Sequence, residues 1–205
     1  VVGRHGEKIT MLPYYKFFDN PLIWQANYEE INAEPYLIQT IANAPQASLW
    51  GINVNYTHQL ASLGNAFNAL AIRANYSFNH STTSSEDQQQ DGLPLTGSTR
   101  HSLQLNVTFA PPKHSSKIVV ASNYRGQTLS QIQDGEPIYL AGIITTDIAA
   151  ESKILKNITL YTSINNLTNP IIESYRGKPN QNDSFLYSSK QYGSWAIIGL
   201  RWQAN

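Results

Sequence analysis

Arg100-His101-Ser102-Leu103-Gln104-Leu105-Asn106-Val107-Thr108-Phe109-Ala110 decides how the chain is read, because polarity switches at nearly every step. In an extended strand successive side chains point to opposite faces. His101, Leu103, Leu105, Val107 and Phe109 therefore share one surface, and Arg100, Ser102, Gln104, Asn106 and Thr108 the other. The polar face carries hydroxyls and amides where a soluble sheet would carry Lys and Glu.

The same period of two recurs on both sides of this stretch. Ser48 to Leu60 places Trp50, Ile52, Val54 and Tyr56 against Asn53, Asn55, Thr57 and Gln59. After a turn at Ala61 to Asn65, Leu70, Ile72, Ala74, Tyr76 and Phe78 oppose Arg73, Asn75, Ser77 and Asn79. A Pro111 to Ser116 turn leads into Lys117 to Gln127, and further strands are expected at Ile138 to Ser152, Ile158 to Leu167 and Tyr192 to Trp202. A less regular strand, Lys8 to Phe18, is interrupted by Pro13. That makes about eight strands, joined by connections that alternate long and short. Lengths of about ten to fifteen residues exceed the usual five or six of a globular sheet and suit strands that cross a membrane at a tilt.

Composition narrows the classes further. The 205 residues hold 14 Lys and Arg against 14 Asp and Glu, so only 14% are charged, where a soluble domain carries roughly a quarter. Asn, Gln, Ser and Thr make up about a third of the chain, and 12 Tyr bring the aromatic share to 11%. Zero net charge supplies no field to gather nucleic acid. The absence of cysteine excludes disulfides, thiol nucleophiles and Cys-ligated zinc. The longest apolar runs, Ile138 to Ile144 and Trp195 to Leu200, are strand-sized, which rules out a helical membrane protein. Val1 to Gly6 carries neither an initiator Met nor a charged-then-apolar leader, and the expectation is a chain that begins part-way through something larger.

These features point to an all-β, antiparallel transmembrane barrel wall: an apolar band toward lipid, aromatics flanking it, a polar interior, short turns at one end and long loops at the other. A secreted β-sandwich binding module has the same alternation and is the soluble alternative.

The C-terminal quarter adds a more specific signal. Ser163-Ile164-Asn165-Asn166-Leu167-Thr168-Asn169-Pro170, then Tyr175-Arg176-Gly177-Lys178-Pro179, then Gln191-Tyr192-Gly193-Ser194-Trp195 running to Gly199-Leu200-Arg201-Trp202, resemble the closing hairpin of TonB-dependent outer-membrane receptors. Asn43-Ala44-Pro45-Gln46-Ala47-Ser48-Leu49-Trp50-Gly51-Ile52 is similar to the entry into a mid-barrel strand of that family. The two stretches bracket most of the chain. The resemblance implies a barrel of 22 strands around an N-terminal plug, of which residues 1–205 would be the C-terminal portion, a single incomplete domain without plug or coupling box. It also implies a Gram-negative outer-membrane location and energy-coupled uptake of a scarce nutrient such as a siderophore. The implied partners are membrane lipid, the plug and remaining strands, the TonB coupling complex acting through the plug, and a small-molecule ligand. Tyr192, Leu200 and Trp202 would form the C-terminal assembly signal, with Gln203-Ala204-Asn205 extending past it. A self-contained eight-stranded structural or adhesive barrel is the other alternative, since eight strands can close around side chains alone.

Candidate sites are few. The histidines at 5, 58, 80, 101 and 114 have no metal-ligand spacing. His101 and Ser102 are strand neighbours and point to opposite faces, so they form no nucleophile and base pair. Glu29-Glu30 and Glu86-Asp87 fall in external loops, where solvated charge is the default. Neither an enzyme nor a cofactor is expected. Seven Asn-x-Ser/Thr triplets, most within strands, place Asn and hydroxyl together on the lumenal face. Arg73, Arg100, Arg125 and Arg201 keep the polar parity, avoiding the roughly 2–4 kcal/mol that an Arg costs at the lipid midplane. Arg100 and Arg125, toward the outer ends of their strands, are the candidates for ligand contact. The external loops are expected at 19–35, 80–99, 126–138 and 169–190.

Overall fold

A computed structural model describes residues 6–44, 46–64, 67–84, 91–179 and 181–204. Eight strands form one continuous sheet: β1 (Glu7–Asp19), β4 (Gln46–Gln59), β5 (Leu70–Ser84), β6 (His101–Phe109), β7 (Ser116–Arg125), β10 (Ile143–Leu155), β11 (Ile158–Asn165) and β14 (Trp195–Trp202), neighbours in that order. These are the eight strands read from the alternation. All their pairings are antiparallel, and β1 and β14 are unpaired edges, so the sheet stays open and the closed eight-stranded barrel does not form.

The register carries the sequence period across the sheet, because directly opposed residues share a face. Ile52 opposes Phe78, Phe78 opposes His101, Leu103 opposes Tyr124 and Tyr124 opposes Ile144. On the other side Asn53 opposes Ser77, Ser77 opposes Ser102, and Ser102 opposes Arg125. The apolar face has no protein cover: Met11 is 62%, Ile198 76%, Leu200 65% and Trp202 68% exposed. That surface is complete only against lipid or a second layer.

Three sequence expectations need correction. Ile138 to Ser152 is two strands: β9 (Glu136–Leu140) ends before Gly142, and β10 starts at Ile143. At the break, a side chain at 142 would press to 3.3 Å from the Arg125 carbonyl and 3.5 Å from Gly126 Cα, so Gly142 fits a close backbone approach. The final strand begins at Trp195, leaving Tyr192 in the connection before it. Thirdly, three of the four long links are themselves β-structure, and two of the expected loop boundaries move. The first excursion reaches Asn43 as β2 (Leu22–Ile31) and β3 (Glu34–Asn43), while β5 continues to Ser84.

Those links build a second sheet of six strands in the order β13-β12-β9-β8-β2-β3, adding β8 (Thr128–Gln133), β12 (Ile172–Arg176) and β13 (Phe185–Lys190). Two of the hairpins have a local cause. Asn32 and Ala33 sit at φ +56° and +65°, and Asp134 and Gly135 at +52° and +78°, the positive-φ pair that lets a two-residue turn match strand twist. Two parallel pairs, Gln25 with Ile132 and Ala26 with Gln133, stitch the first hairpin to the second. Four of the six buried apolar residues among those described, Leu129, Ile132, Ile138 and Tyr139, belong to β8 and β9. This canopy at the long-loop end holds the compact core; the large sheet has two solvent- or lipid-facing surfaces instead.

Candidate functional site at the long-loop rim

The polar face of the large sheet is tied across strands. Ser77 Oγ donates to Asn53 Oδ1 at 2.7 Å, Asn75 Nδ2 to Gln104 Oε1 at 3.2 Å, and Asn79 Nδ2 to the Thr99 carbonyl at 3.1 Å. Tyr14 crosses bare Gly51, its strand partner, to donate its hydroxyl to Asn79 Oδ1 two strands away. Tyr161 lies over Gly199 in the same fashion, with the Arg201 guanidinium 5.8 Å from its ring centre. This face carries amides, hydroxyls and a few cations, and the strand-borne Asn-x-Ser/Thr residues Asn75 and Ser77 lie on it.

The apolar face ends at a belt of rings beneath the rim. Trp50 and Phe78 lie 5.3 Å apart, Phe78 and His101 5.3 Å, and Trp50 and His80 5.6 Å. Tyr76 shares a 2.8 Å hydrogen bond with His101 Nδ1. From His101 down β6, Leu103, Leu105 and Val107 follow before Phe109, eight steps of about 3.3 Å each. At the ~40° tilt of barrel strands that is roughly 20 Å along the membrane normal, close to an apolar band. At the opposite end, buried His58 binds the Tyr56 hydroxyl at 2.9 Å and approaches Glu7 at 3.5 Å. Among the described residues no cluster of three metal-binding side chains occurs. His101 and Ser102 fall on opposite faces, opposing Phe78 and Ser77 respectively. His5 and Glu86-Asp87 lie outside the described residues.

Above the belt, where the 91–100 segment crosses from β5 to β6, opens a cavity of about 410 Å³. Arg100, His80, His101, Ser98 and Gln127 line it from the large sheet and its link, and Tyr139 and Lys178 from the canopy. Gly126 closes the wall: its amide donates to the His101 carbonyl at 2.8 Å, and a side chain there would sit 3.0 Å from that oxygen. Tyr139 is 3% exposed with no partner for its hydroxyl among the described residues, and burial pushes its ionisation up from the ordinary phenol value. Tyr175, also in the canopy, is raised chiefly by its 2.8 Å hydrogen bond to the Glu173 carboxylate.

The two arginines singled out from sequence part company. Arg125 keeps the polar parity opposite Ser102 and Ile143, with Nε buried and without a partner among the described residues. Arg100 precedes β6, and its guanidinium lies 5.8 Å from the ring centre of Phe78, which is on the apolar face. Its backbone stays tied to the polar-parity Asn79, whose amide donates to the Arg100 carbonyl at 2.9 Å.

A latch at the base of the last excursion explains the C-terminal motif. Asn166, at φ +56°, receives the Asp147 carboxylate on its amide at 2.7 Å and donates Nδ2 to the Gly193 carbonyl at 2.7 Å. Asn169 Oδ1 accepts from the Gly193 amide at 3.1 Å, and Ser194 Oγ donates to the Asn166 carbonyl at 2.7 Å. Asn-Asn-Leu-Thr-Asn and Tyr-Gly-Ser thus recognise each other across 27 positions. Of the residues expected to guide assembly, Leu200 and Trp202 stand exposed on the apolar face of edge strand β14, and Tyr192 is 76% exposed beside the latch. Pairing continues past Trp202, since the Gln203 amide donates to the Asn157 carbonyl at 3.0 Å.

No curated protein matches the chain. Among solved structures it is similar to the siderophore receptor PiuA from Acinetobacter baumannii, at 14% identity and a TM-score of 0.61, over 96% of this chain and 26% of that one. The FrpB iron transporter from Neisseria meningitidis (F3-3 variant) is similar at 11% identity and a TM-score of 0.58, over 96% and 28%. The siderophore receptor PirA from Acinetobacter baumannii follows at 11% and 0.53, over 80% and 26%. The chain spans about a quarter of the length of each of these receptors. At such identities the likeness shows the fold: an open section of a large barrel wall. The family profile described as "TonB dependent receptor-like, beta-barrel" matches residues 13–167, and the chain belongs to that family of barrel domains.

Proposed function

We propose that this chain is the C-terminal portion of the barrel wall, with its extracellular canopy, of an outer-membrane receptor that imports a scarce small molecule by TonB-coupled transport. The observation that carries the reading is the eight-strand open sheet with a polar lumenal face and an uncovered apolar face, in a chain of this family. Only a larger ring completes such a wall: β1 and β14 each need a further strand, and the lumenal amides and hydroxyls need water or a plug. Iron complexes are the cargo class we favour, because the similar solved receptors are named for siderophores and iron. The receptor itself is not an enzyme in this reading; energy arrives from the coupling complex through the plug. Arg125 is the cargo contact we carry forward, since its buried Nε leaves a donor unfilled on the lumenal side.

The test is uptake. A strain deleted for the full-length gene, grown under iron limitation with a panel of ferric siderophores, should lose accumulation of radiolabelled iron from one of them and regain it on complementation. Fractionation should place the protein in the outer membrane. Unchanged uptake of every iron complex would remove the cargo class, and recovery in a soluble fraction would remove the receptor reading.

A further inference from the structure

We infer that the canopy is a single hinged lid, held shut by a clasp between β8 and the 91–100 link, and that opening this clasp admits cargo to the rim cavity. The inference rests on the receptor reading above only for what the lid admits.

The canopy is bonded within itself. β2 pairs with β8, β8 with β9, β9 with β12 and β12 with β13, so all three excursions share one sheet. Side chains of the middle hairpin reinforce it on both sides: Asp134 Oδ1 accepts the Tyr28 amide at 3.0 Å, and Gln133 Oε1 accepts the Tyr187 hydroxyl at 2.9 Å. A displacement of one excursion is thereby carried to the other two.

The joint with the wall is built differently. No strand runs unbroken from one sheet into the other: β1 stops at Asp19 and β2 starts at Leu22, β7 stops at Arg125 and β8 starts at Thr128, and the other four crossings are interrupted likewise. Element ends of this kind absorb the backbone rotations of a hinge. Along the joint the described residues line three cavities, of about 410, 720 and 510 Å³. The first has Tyr124 of the wall and Tyr139 of the canopy in its lining, the second Ile144 and Glu173, the third Thr145 and Ile172. A close-packed joint would fill that space with side chains, whereas this one leaves the canopy room to tilt.

The clasp spans this joint. The 91–100 link belongs to the wall, since the Thr83 amide donates to the Leu93 carbonyl at 2.8 Å and the Leu95 amide to Ser81 Oγ at 3.0 Å. From the link, the Gly97 amide donates to the Leu129 carbonyl of β8 at 2.8 Å. Thr99 bridges Thr128, with the two hydroxyls 2.7 Å apart, and Leu93 packs against Ile132. Leu129 also lines the 410 Å³ cavity, so parting the clasp parts the cavity wall.

The full-length receptor, reconstituted in lipid vesicles, would carry either Leu129→Cys at the joint or Ile138→Cys within the canopy. Both positions are buried and this chain supplies no other cysteine, so maleimide labelling reads opening without any cargo. Thr99→Val, which removes one hydroxyl and little volume, should speed labelling of Leu129→Cys about two- to tenfold and leave Ile138→Cys unchanged. Heat-modifiable electrophoretic mobility confirms that each variant is folded. Unchanged labelling of Leu129→Cys overturns the clasp. Equal acceleration at both cysteines overturns the single lid, because the canopy would then come apart instead of tilting. In cells, the oxidised pair Thr99→Cys/Thr128→Cys should lose about tenfold or more of iron-complex uptake and regain it with reductant. The oxidised pair Leu140→Cys/Ser174→Cys, which joins opposed residues of two excursions inside the canopy, should keep its uptake, and loss there also overturns the single lid. If wild-type receptor transports and the first pair transports equally well when oxidised, this inference falls and the receptor reading stands. Labelling as expected in a receptor that transports no iron complex removes the cargo class and leaves the lid.

Discussion

Two glycines in the large sheet sit under tyrosines, and the two should respond oppositely to the same repair. At Gly199 a β-carbon would collide with the Tyr161 ring at Cζ and Oη and stand 2.8 Å from Cε1; the three nearest atoms all belong to that one side chain. At Gly51 it would stand 2.7 Å from Tyr14 Oη, and would also collide with the Phe78 carbonyl of the neighbouring strand. A ring can swing away, whereas a paired backbone carbonyl moves only with its strand. Alanine in a strand is intrinsically better than glycine by about 0.5–1 kcal/mol, and overpacking costs about 1–3 kcal/mol. Gly199→Ala should therefore destabilise the receptor by about 1–2 kcal/mol net. In a Tyr161→Ala background the same change should become neutral or stabilising by up to about 1 kcal/mol. Gly51→Ala should remain destabilising by about 1–3 kcal/mol even with Tyr14→Ala, because the carbonyl is still there. The assay is urea unfolding of full-length receptor in lipid vesicles, with the folded fraction read from electrophoretic mobility. Equal rescue at both sites would refute the distinction between flexible and backbone obstacles.

Other consequences follow from the same geometry. Asn166→Gly keeps the positive-φ turn and loses the 2.7 Å bond to Gly193, while Asn166→Ala loses both, so urea midpoints should fall further for alanine, by about 1 kcal/mol more. Asp147→Ala removes the carboxylate that accepts the Asn166 amide and should cost about 1–2 kcal/mol by the same measurement, whereas Asp147→Asn should cost less. Trp202→Ala should slow outer-membrane assembly of the full-length receptor in pulse-chase experiments by several-fold or more, and wild-type kinetics in that variant would dismiss the terminal signal. Arg125→Gln should weaken uptake through the apparent affinity for cargo, by about tenfold, without changing the amount of folded receptor.

What the sequence makes legible is whatever repeats at period two. The strand around residues 101–109 declares both its faces, and the eight long strands follow from it. The canopy was harder to see because its strands are short and its polarity less regular, as in Thr128–Gln133 and Phe185–Lys190. Asp134-Gly135 is a strong two-residue hairpin dipeptide, but the strands it joins are too short and irregular in polarity to stand out from a link. Asn32-Ala33 offered less, since Ala at positive φ has no sequence signature. Alternation alone does not reach the Arg100 guanidinium, which lies 5.8 Å from the Phe78 ring centre at a bend just before β6. Tyr139 and Lys178 could not be joined to Arg100 from sequence, because the cavity is assembled from three separate excursions. The reason for the Asn-Asn-Leu-Thr-Asn motif is only spatial: Gly193 bonds both Asn166 and Asn169, 27 and 24 positions away.

The edges of the large sheet lead to a final prediction. β1 runs 13 residues and β14 eight, and among the described strands each is paired on one side only. Alternate residues of an antiparallel strand aim their amide and carbonyl at a given neighbour, so the two open sides leave about ten amides and ten carbonyls unpaired. In hydrocarbon each unpaired group costs on the order of several kcal/mol, and the total exceeds the roughly 5–15 kcal/mol by which a domain is stable. The canopy cannot offset this, since its buried apolar residues are few and none lies on β1 or β14. Produced alone in detergent, residues 1–205 should therefore aggregate and show no heat-modifiable band, while coexpression with the remaining strands of a receptor should yield a folded, detergent-stable barrel. A monodisperse, heat-modifiable monomer of this chain alone would mean that β1 and β14 find each other, and the open-wall reading would have to be abandoned.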